Sequence, residues 1–497
     1  MSQLINWIRK NEALLVVVTV VALLRLPTLF EPAWYGDENI YLTIGQGIRK
    51  GLVLYKGITD YPNKPPFIYL LAALVQSVWG FRLVLLFWNS IHAVFMWIFL
   101  KTIFVQRRWL RYALMVIFIG LTATPLFEGN IANGEIFMIM PVTAGMLLLW
   151  NEKLKIDNGK LFIAGLFFAM GFLFKIPVGA EMVAAGLFFF LAPLFVRRSF
   201  TVIVRGGLWF ALGWLSLVGF MLVVHAWQGV GPVELGRIMI GSSSYVAVWR
   251  PQMGMWAFFT FSSLPSRLLL AGALSVGLLW FRKFLSQPAL FASLWTIWAL
   301  FGALLSARPY LHYLLQVVPP LIILLGVILR RVKRGDLVAG MLVFGLVEVA
   351  YIRFGFRLGP LLTYYKNFGL LVTKSISKEE YYQRFDGRMA RNYAVAKFLR
   401  ERTQPLERIY VWGTEPDIYV LADRLPVGRL TTSFHVEDLN EYSLLGNELV
   451  RTYPAYIVWM DNEPRDFPEL KQLLESRYAN IAQFNEAVIY HKLPTQR

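Results

Sequence analysis

The sequence predicts a polytopic α-helical membrane protein of about eleven transmembrane helices, ending in an extracytoplasmic α/β domain. Three observations carry this. The 497-residue chain is 57% hydrophobic and only 16% charged, with a mean hydropathy of +0.52, too apolar for a soluble globule. Basic residues recur at alternate ends of long apolar runs, the pattern that cytoplasmic loops impose. From about Tyr364 onward, charged residues instead interleave with short apolar runs. A net charge of +18 points to nucleic acid in a soluble chain, but here the cations flank apolar runs and suit anionic lipid headgroups, so no nucleic-acid partner is expected. Cysteine is absent, which excludes disulfides and thiolate chemistry.

Positive charge orients the runs in turn. Arg9 and Lys10 precede Ala13 to Phe30, which puts the N-terminus inside and Asp37 and Glu38 outside. This run lacks a small-residue cleavage site and reads as a retained span. The next long run, Phe81 to Val105, ends at Arg107, Arg108 and Arg111. If that end is cytoplasmic, Pro66 to Trp79, shorter than the roughly 20 residues a crossing needs, is an interfacial or re-entrant helix. Glu31 to about Gly80 is then one external loop. Crossings alternate through Trp109–Phe127, Glu135–Trp150, Leu161–Phe174, Val178–Val196, Leu208–His225, Leu268–Trp280, Leu290–Ser306, Tyr310–Leu329 and Leu337 to about Tyr351. The inside turns are basic: Lys153, Lys155 and Lys160; Arg197, Arg198 and Arg205; Arg282 and Lys283; Arg330, Arg331, Lys333 and Arg334. A second external loop runs from Trp227 to about Pro265, and the C-terminus lies outside.

The division expected is a membrane domain over residues 1–363, carrying the external loop 31–80, and a soluble domain over 364–497. In the latter, Arg388–Arg402 reads as an amphipathic helix, Arg408–Gly413 and Ala455–Met460 as strands, Pro468–Ser476 as helix and Ala487–His491 as a last strand. It has no Gly-rich phosphate fingerprint, so no cofactor is assigned to it.

Chemistry is expected among the ionisable groups of the external face, because charges beside hydrocarbon are costly unless used. Asp37 and Glu38 sit just beyond the first span, where a carboxylate gains proton affinity and serves as a base, or else favours a helix N-terminus. Lys64 stands before Pro65 and Pro66, which hold it extended. Its ammonium suits a lipid phosphate, and the alternative is a snorkelling surface lysine. Glu128, Asn130, Asn133 and Glu135 form a polar cluster that either orients an acceptor or holds a divalent cation, or is an ordinary turn. Near the same face fall Lys175, Arg308, Tyr310, His312 and Tyr313; Arg308 with Tyr310 and His312 would clamp a phosphate and sugar, while singly each is an interfacial anchor.

Three segments resemble the GT-C glycosyltransferases: Trp34-Tyr-Gly-Asp-Glu-Asn-Ile-Tyr41 with Lys64-Pro-Pro66, Phe174-Lys-Ile-Pro177, and Arg308-Pro-Tyr-Leu-His-Tyr-Leu-Leu-Gln-Val-Val-Pro-Pro320. Within them the chain is most similar to the bacterial branch of the dolichyl-phosphate-mannose protein mannosyltransferase family, which includes the aminoarabinose transferases of lipid A. The resemblance covers about residues 10 to 350, and Tyr410 to Arg424 is also similar to the extracytoplasmic tail of such proteins. It implies transfer of a hexosyl or pentosyl group from a polyprenyl-phosphate-linked donor to a lipid, glycan or protein acceptor at the outer face of a bacterial or archaeal plasma membrane. It further implies Asp37 as base on the acceptor, Lys64 as contact to the donor phosphate, Glu135 as the second acid, and no catalytic metal.

The mechanism expected is a single displacement, with Lys64 and Arg308 stabilising the departing lipid phosphate. A multi-span lipid or sugar transporter or flippase is the competing class, but the polar groups cluster at one face and no paired interrupted helices recur in matching halves. A membrane anchor presenting the tail as a binding module leaves Asp37 and Lys64 without purpose.

Overall fold

A computed structural model describes residues 2–61, 64–150, 157–191, 199–240, 263–330 and 333–494. Pro62, Asn63, Lys153, Lys155, the end of the run to Val196, Arg197, Arg198, Arg331 and most of the second external loop lie outside the described residues. The chain divides into two compact units, one of Met1–Leu26, Val84–Val224 and Met239–Leu361, the other of Pro27–Leu83, His225–Ile238 and Leu362–Arg497.

The first unit is helical. Each predicted run carries a helix: Ser2–Arg25, Val78–Ile103, Arg108–Thr122, Gly134–Leu149, Asn158–Phe174, Val178–Gly186, Phe200–Trp227, Leu264–Trp280, Gln287–Ala303, Val318–Arg330 and Arg334–Phe354. Among the described residues, five stretches are long and apolar enough to cross a membrane: Asn11–Phe30, Val78–Ile103, Phe200–Trp227, Leu311–Arg330 and Arg334–Phe354. Gly134–Leu149, Asn158–Phe174, Val178–Leu191 and Leu264–Trp280 are apolar but shorter. Burial explains part of this, since every residue of Gly134–Leu149 except Leu147 and Leu148 is buried by protein, and Pro141 is tolerated inside it. Helices Asn158–Phe174 and Phe200–Trp227 touch backbone to backbone: a Cβ on Gly213 would stand 2.0 Å from the Phe162 carbonyl oxygen. Small residues at such a crossing let two helices gain dispersion contact in lipid.

The second unit is built on a four-stranded sheet of order β1-β2-β4-β3, with β1 Tyr410–Trp412, β2 Tyr456–Met460, β3 Tyr478–Phe484 and β4 Ala487–Lys492. Strand β1 runs parallel to β2, and the other pairs are antiparallel. Alternation sends Val411, Val458 and Ile489 to one face, against Val395, Leu399 and Ile418, and Tyr410, Trp412 and Ile457 to the other, against Val436, Leu449 and Phe467. Apolar clusters therefore cover both faces of the sheet. The three strands and two helices expected from sequence are present; β3, with polar Asn480 and Gln483 among its exposed positions, was not expected, nor were the helices Leu361–Val372, Lys378–Gln383, Asp417–Ala422, Ser433–Leu439 and Tyr442–Thr452.

The external loop, assigned from sequence to the membrane domain, packs into this second unit. Its helix Gly36–Arg49 buries every residue from Glu38 to Gly47. One side meets the helix Phe67–Val75 so closely that a Cβ on Gly45 would lie 2.6 Å from the Ala72 carbonyl carbon. The other meets Asp417–Ala422, with Thr43 donating to the Pro416 carbonyl at 3.4 Å and Gln46 to that of Val420 at 3.4 Å. Lys50 pairs with Asp423 at 3.1 Å, and the Thr59 amide donates to the Arg429 carbonyl at 2.9 Å. A helix buried on opposite sides needs two partners, and the tail supplies the second.

Candidate active site

The helix Gly36–Arg49 begins at Tyr35, whose side chain makes no cap, and carries Asp37 and Glu38 in its first turn, where the helix dipole favours an anion. Consecutive helical residues point about 100° apart, so the carboxylates diverge. Glu38, 1% exposed, turns inward to Arg82, with Nη2–Oε2 2.8 Å and Nε–Oε1 3.1 Å. Arg82 also donates to the carbonyls of Glu31 at 2.6 Å and Pro32 at 2.7 Å, so it bolts the chain entering the helix to the carboxylate within it. This geometry gives Glu38 the work of an anchor rather than of a reacting acid.

Asp37 faces outward, with 38% of its side chain exposed. Tyr41 Oη donates to its Oδ2 at 3.1 Å, and Lys64 Nζ stands 3.9 Å from the same oxygen. The ammonium lies 2.7 Å from Asp60 Oδ2 and 5.0 Å from the centre of the Tyr41 ring. Asp60, which the sequence reading did not single out, is 1% exposed. Its Oδ2 also accepts from Tyr69 Oη at 3.2 Å, and its Oδ1 accepts the Tyr61 amide at 2.7 Å and faces His435 Nε2 at 3.3 Å. Tyr55, at φ +69°, donates to the Lys64 carbonyl at 2.7 Å, and the Lys64 amide donates to Tyr69 Oη at 3.3 Å, so the stretch before Pro65 is held at backbone as well as side chain. Burial holds the Tyr55 phenol well above its usual range, which keeps it a donor. Burial likewise pushes His435 down to about 4 against the opposing pull of Asp60, so the imidazole is neutral.

The first unit holds a separate cluster. Asn133 caps the helix Gly134–Leu149, its Oδ1 accepting the Gly134 amide at 2.7 Å, and the Asn130 carbonyl accepts from Arg25 at 3.1 Å. Glu135, in the first turn, pairs with Lys175, whose ammonium sits 4.7 Å from the centre of the Tyr313 ring. His312 Nδ1 lies 2.6 Å from Glu128 Oε2, and its Nε2 lies 4.0 Å from Glu135 Oε1. Tyr310 stacks on His312 at 5.6 Å. Glu128 occupies left-handed backbone at φ +55°, a conformation that costs energy in a non-glycine residue. Burial raises its pKa, but the hydrogen bond and charge of His312 outweigh that and hold the carboxyl below its ordinary value. Arg308 follows Ala307, at φ +56°, in the turn before Leu311–Val317 and is half-buried there. Of the residues expected to clamp a phosphate, Tyr310 and His312 lie side by side, with His312 engaged by Glu128 through Nδ1.

Asp37 and Lys64 therefore meet, as do Glu135 and His312 with Tyr310 stacked on the imidazole, while Glu38 pairs with Arg82 and Asn133 caps a helix. Asp60 had a readable signal, an acid four residues before Lys64; His435 had none. Among the described residues, no three His, Asp or Glu side chains converge to hold a metal ion.

No protein-family model and no curated protein matches the sequence. The structure is similar to that of ArnT from Cupriavidus metallidurans, solved bound to undecaprenyl phosphate, with a TM-score of 0.57 at 14% identity over 98% of this chain and 99% of that one. An oligosaccharyltransferase from Archaeoglobus fulgidus, in complex with zinc and sulfate, aligns at a TM-score of 0.40 and 15% identity over 96% of this chain and 73% of that one. The likeness to ArnT runs the length of both chains and shows a shared fold, a largely helical part with long apolar helices followed by an α/β domain at the C-terminus.

Proposed function

We propose that the protein is a membrane glycosyltransferase that moves a monosaccharide from a polyprenyl-phosphate donor to an acceptor hydroxyl at the outer face of the membrane. The observation that carries this reading is Asp37, an exposed carboxylate, 3.9 Å from an ammonium that Asp60 holds at 2.7 Å. The undecaprenyl phosphate bound to the ArnT relative supports a lipid phosphate as the carrier.

In the displacement, the acceptor oxygen attacks the anomeric carbon as its proton passes to Asp37, and the bond from that carbon to the phosphate oxygen breaks with its electron pair. Lys64 meets the charge growing on the departing phosphate. We expect Lys64 to oppose that charge without a metal ion, and transfer should then persist at an unchanged rate in a chelator. The external loop and the tail act together as the soluble part of the enzyme. Replacing Asp37 by Asn tests the reading: sugar transfer from a polyprenyl-phosphate donor should be lost while binding of the carrier persists, and undiminished transfer would refute it.

A second reading takes Glu128 as the base, because its carboxylate is 40% exposed beside His312. It is the weaker one, since the same contact holds Glu128 as a weaker base than a free glutamate.

A further inference from the structure

Asp60 accepts from three donors, Lys64, Tyr69 Oη and the Tyr61 amide, and its Oδ1 faces His435 Nε2 at 3.3 Å. A carboxylate offers about four lone-pair sites, so this buried acid is fully engaged and its effect is to fix what it touches. We propose that His435, supplied by the tail helix Ser433–Leu439, is a positioning residue for Lys64: its Nε2–H holds Asp60 in the orientation that sets the Lys64 ammonium for the donor phosphate. The inference rests on the reading of Lys64 given above.

The geometry fixes the tautomer. His435 Nε2 faces a carboxylate oxygen, and Nδ1 has no hydrogen-bond partner among the described residues, so the proton sits on Nε2. The ring is placed from the tail. The Ser433 amide donates to the Gly413 carbonyl at 2.9 Å and its hydroxyl to Glu463 at 2.6 Å, and the imidazole meets Tyr61 edge-on at 6.5 Å. The charged groups around it are Asp60, Asp37, Lys64 and Arg465. A neutral His435 leaves Lys64 the cation beside Asp60; a protonated one brings a second cation that competes for it, which is the state burial disfavours. Serving only as a staple between loop and tail is a lesser use, because Thr59–Arg429, Lys50–Asp423 and Thr43–Pro416 already join them.

The test measures binding of undecaprenyl phosphate in detergent micelles, against pH, to the full-length protein and to the variants Lys64→Ala, His435→Phe and His435→Gln, with melting temperature alongside. His435→Phe keeps ring volume and should bind about ten-fold more weakly, the size of a lost hydrogen bond to a charged group. His435→Gln, which keeps an N–H donor without a titrating ring, should bind within about three-fold of the parent. It should also lack the loss of affinity that the parent shows as pH falls toward about 4. Phe and Gln variants that both bind like the parent, or that weaken equally with the parent's acid limb intact, overturn the role of His435. Parent-like binding by Lys64→Ala overturns instead the reading beneath it.

Discussion

The two polar clusters draw on one inventory, two acids, a lysine and a histidine, and differ in how these connect. In the second unit, Lys64 lies between the acids and His435 serves the buried one; in the first, His312 lies between the acids and Lys175 serves the buried one. The consequence falls on the exposed acid. Asp37 Oδ2 lies 3.9 Å from the Lys64 ammonium, whereas Glu128 Oε2 lies 2.6 Å from His312 Nδ1. The buried acids differ as well: Asp60 is encircled by donors, while Glu135 Oε2 has no hydrogen-bond partner among the described residues. Residue types alone do not tell a base from a brace; the order in which they touch does.

Asp37→Asn should break this comparison most forcefully, lowering kcat for sugar transfer by about 10²- to 10⁴-fold without altering carrier affinity, as read in steady-state kinetics. Arg82→Ala, removing the buried cation that Glu38 pairs with, should cost about 3–5 kcal/mol, seen as a fall in melting temperature with a loss of folded protein, and would separate the anchoring role of Glu38 from the base proposed at Asp37. Glu128→Gln should lower kcat by less than about ten-fold; a loss equal to that of Asp37→Asn would mean the two exposed acids are equivalent.

The smallest expected effect is a pH dependence in the tail. Burial raises Asp417 to about 7, against the hydrogen bond that Asn392 donates to it at 2.8 Å. A folded-state pKa above the unfolded one means the stability it confers is complete below the unfolded value and is lost as pH rises through about 7. Asp417→Asn, neutral throughout, should melt a few degrees above the parent at pH 8 and level with it at pH 4. Since Asp417 opens the helix packed on Gly36–Arg49, a shift of the same sign at both pH values would disconnect it from that carboxyl.

What the sequence determined by itself was local. Apolar runs became helices because hydropathy and period are written residue by residue, and strands β1, β2 and β4 were legible as short apolar bursts. Asp37 and Lys64 were legible together because one loop carries both. Tertiary structure alone decided the rest. Glu38 became an anchor only when Arg82 reached it, and β3 was stabilised by pairing with β4 despite polar residues on its exposed positions. His435 reached Asp60 only because the tail folds against the first loop. Hydropathy records the exchange of a side chain between water and an apolar phase, whereas a hydrogen bond between residues distant in the chain depends on the path folded between them, which no local pattern encodes.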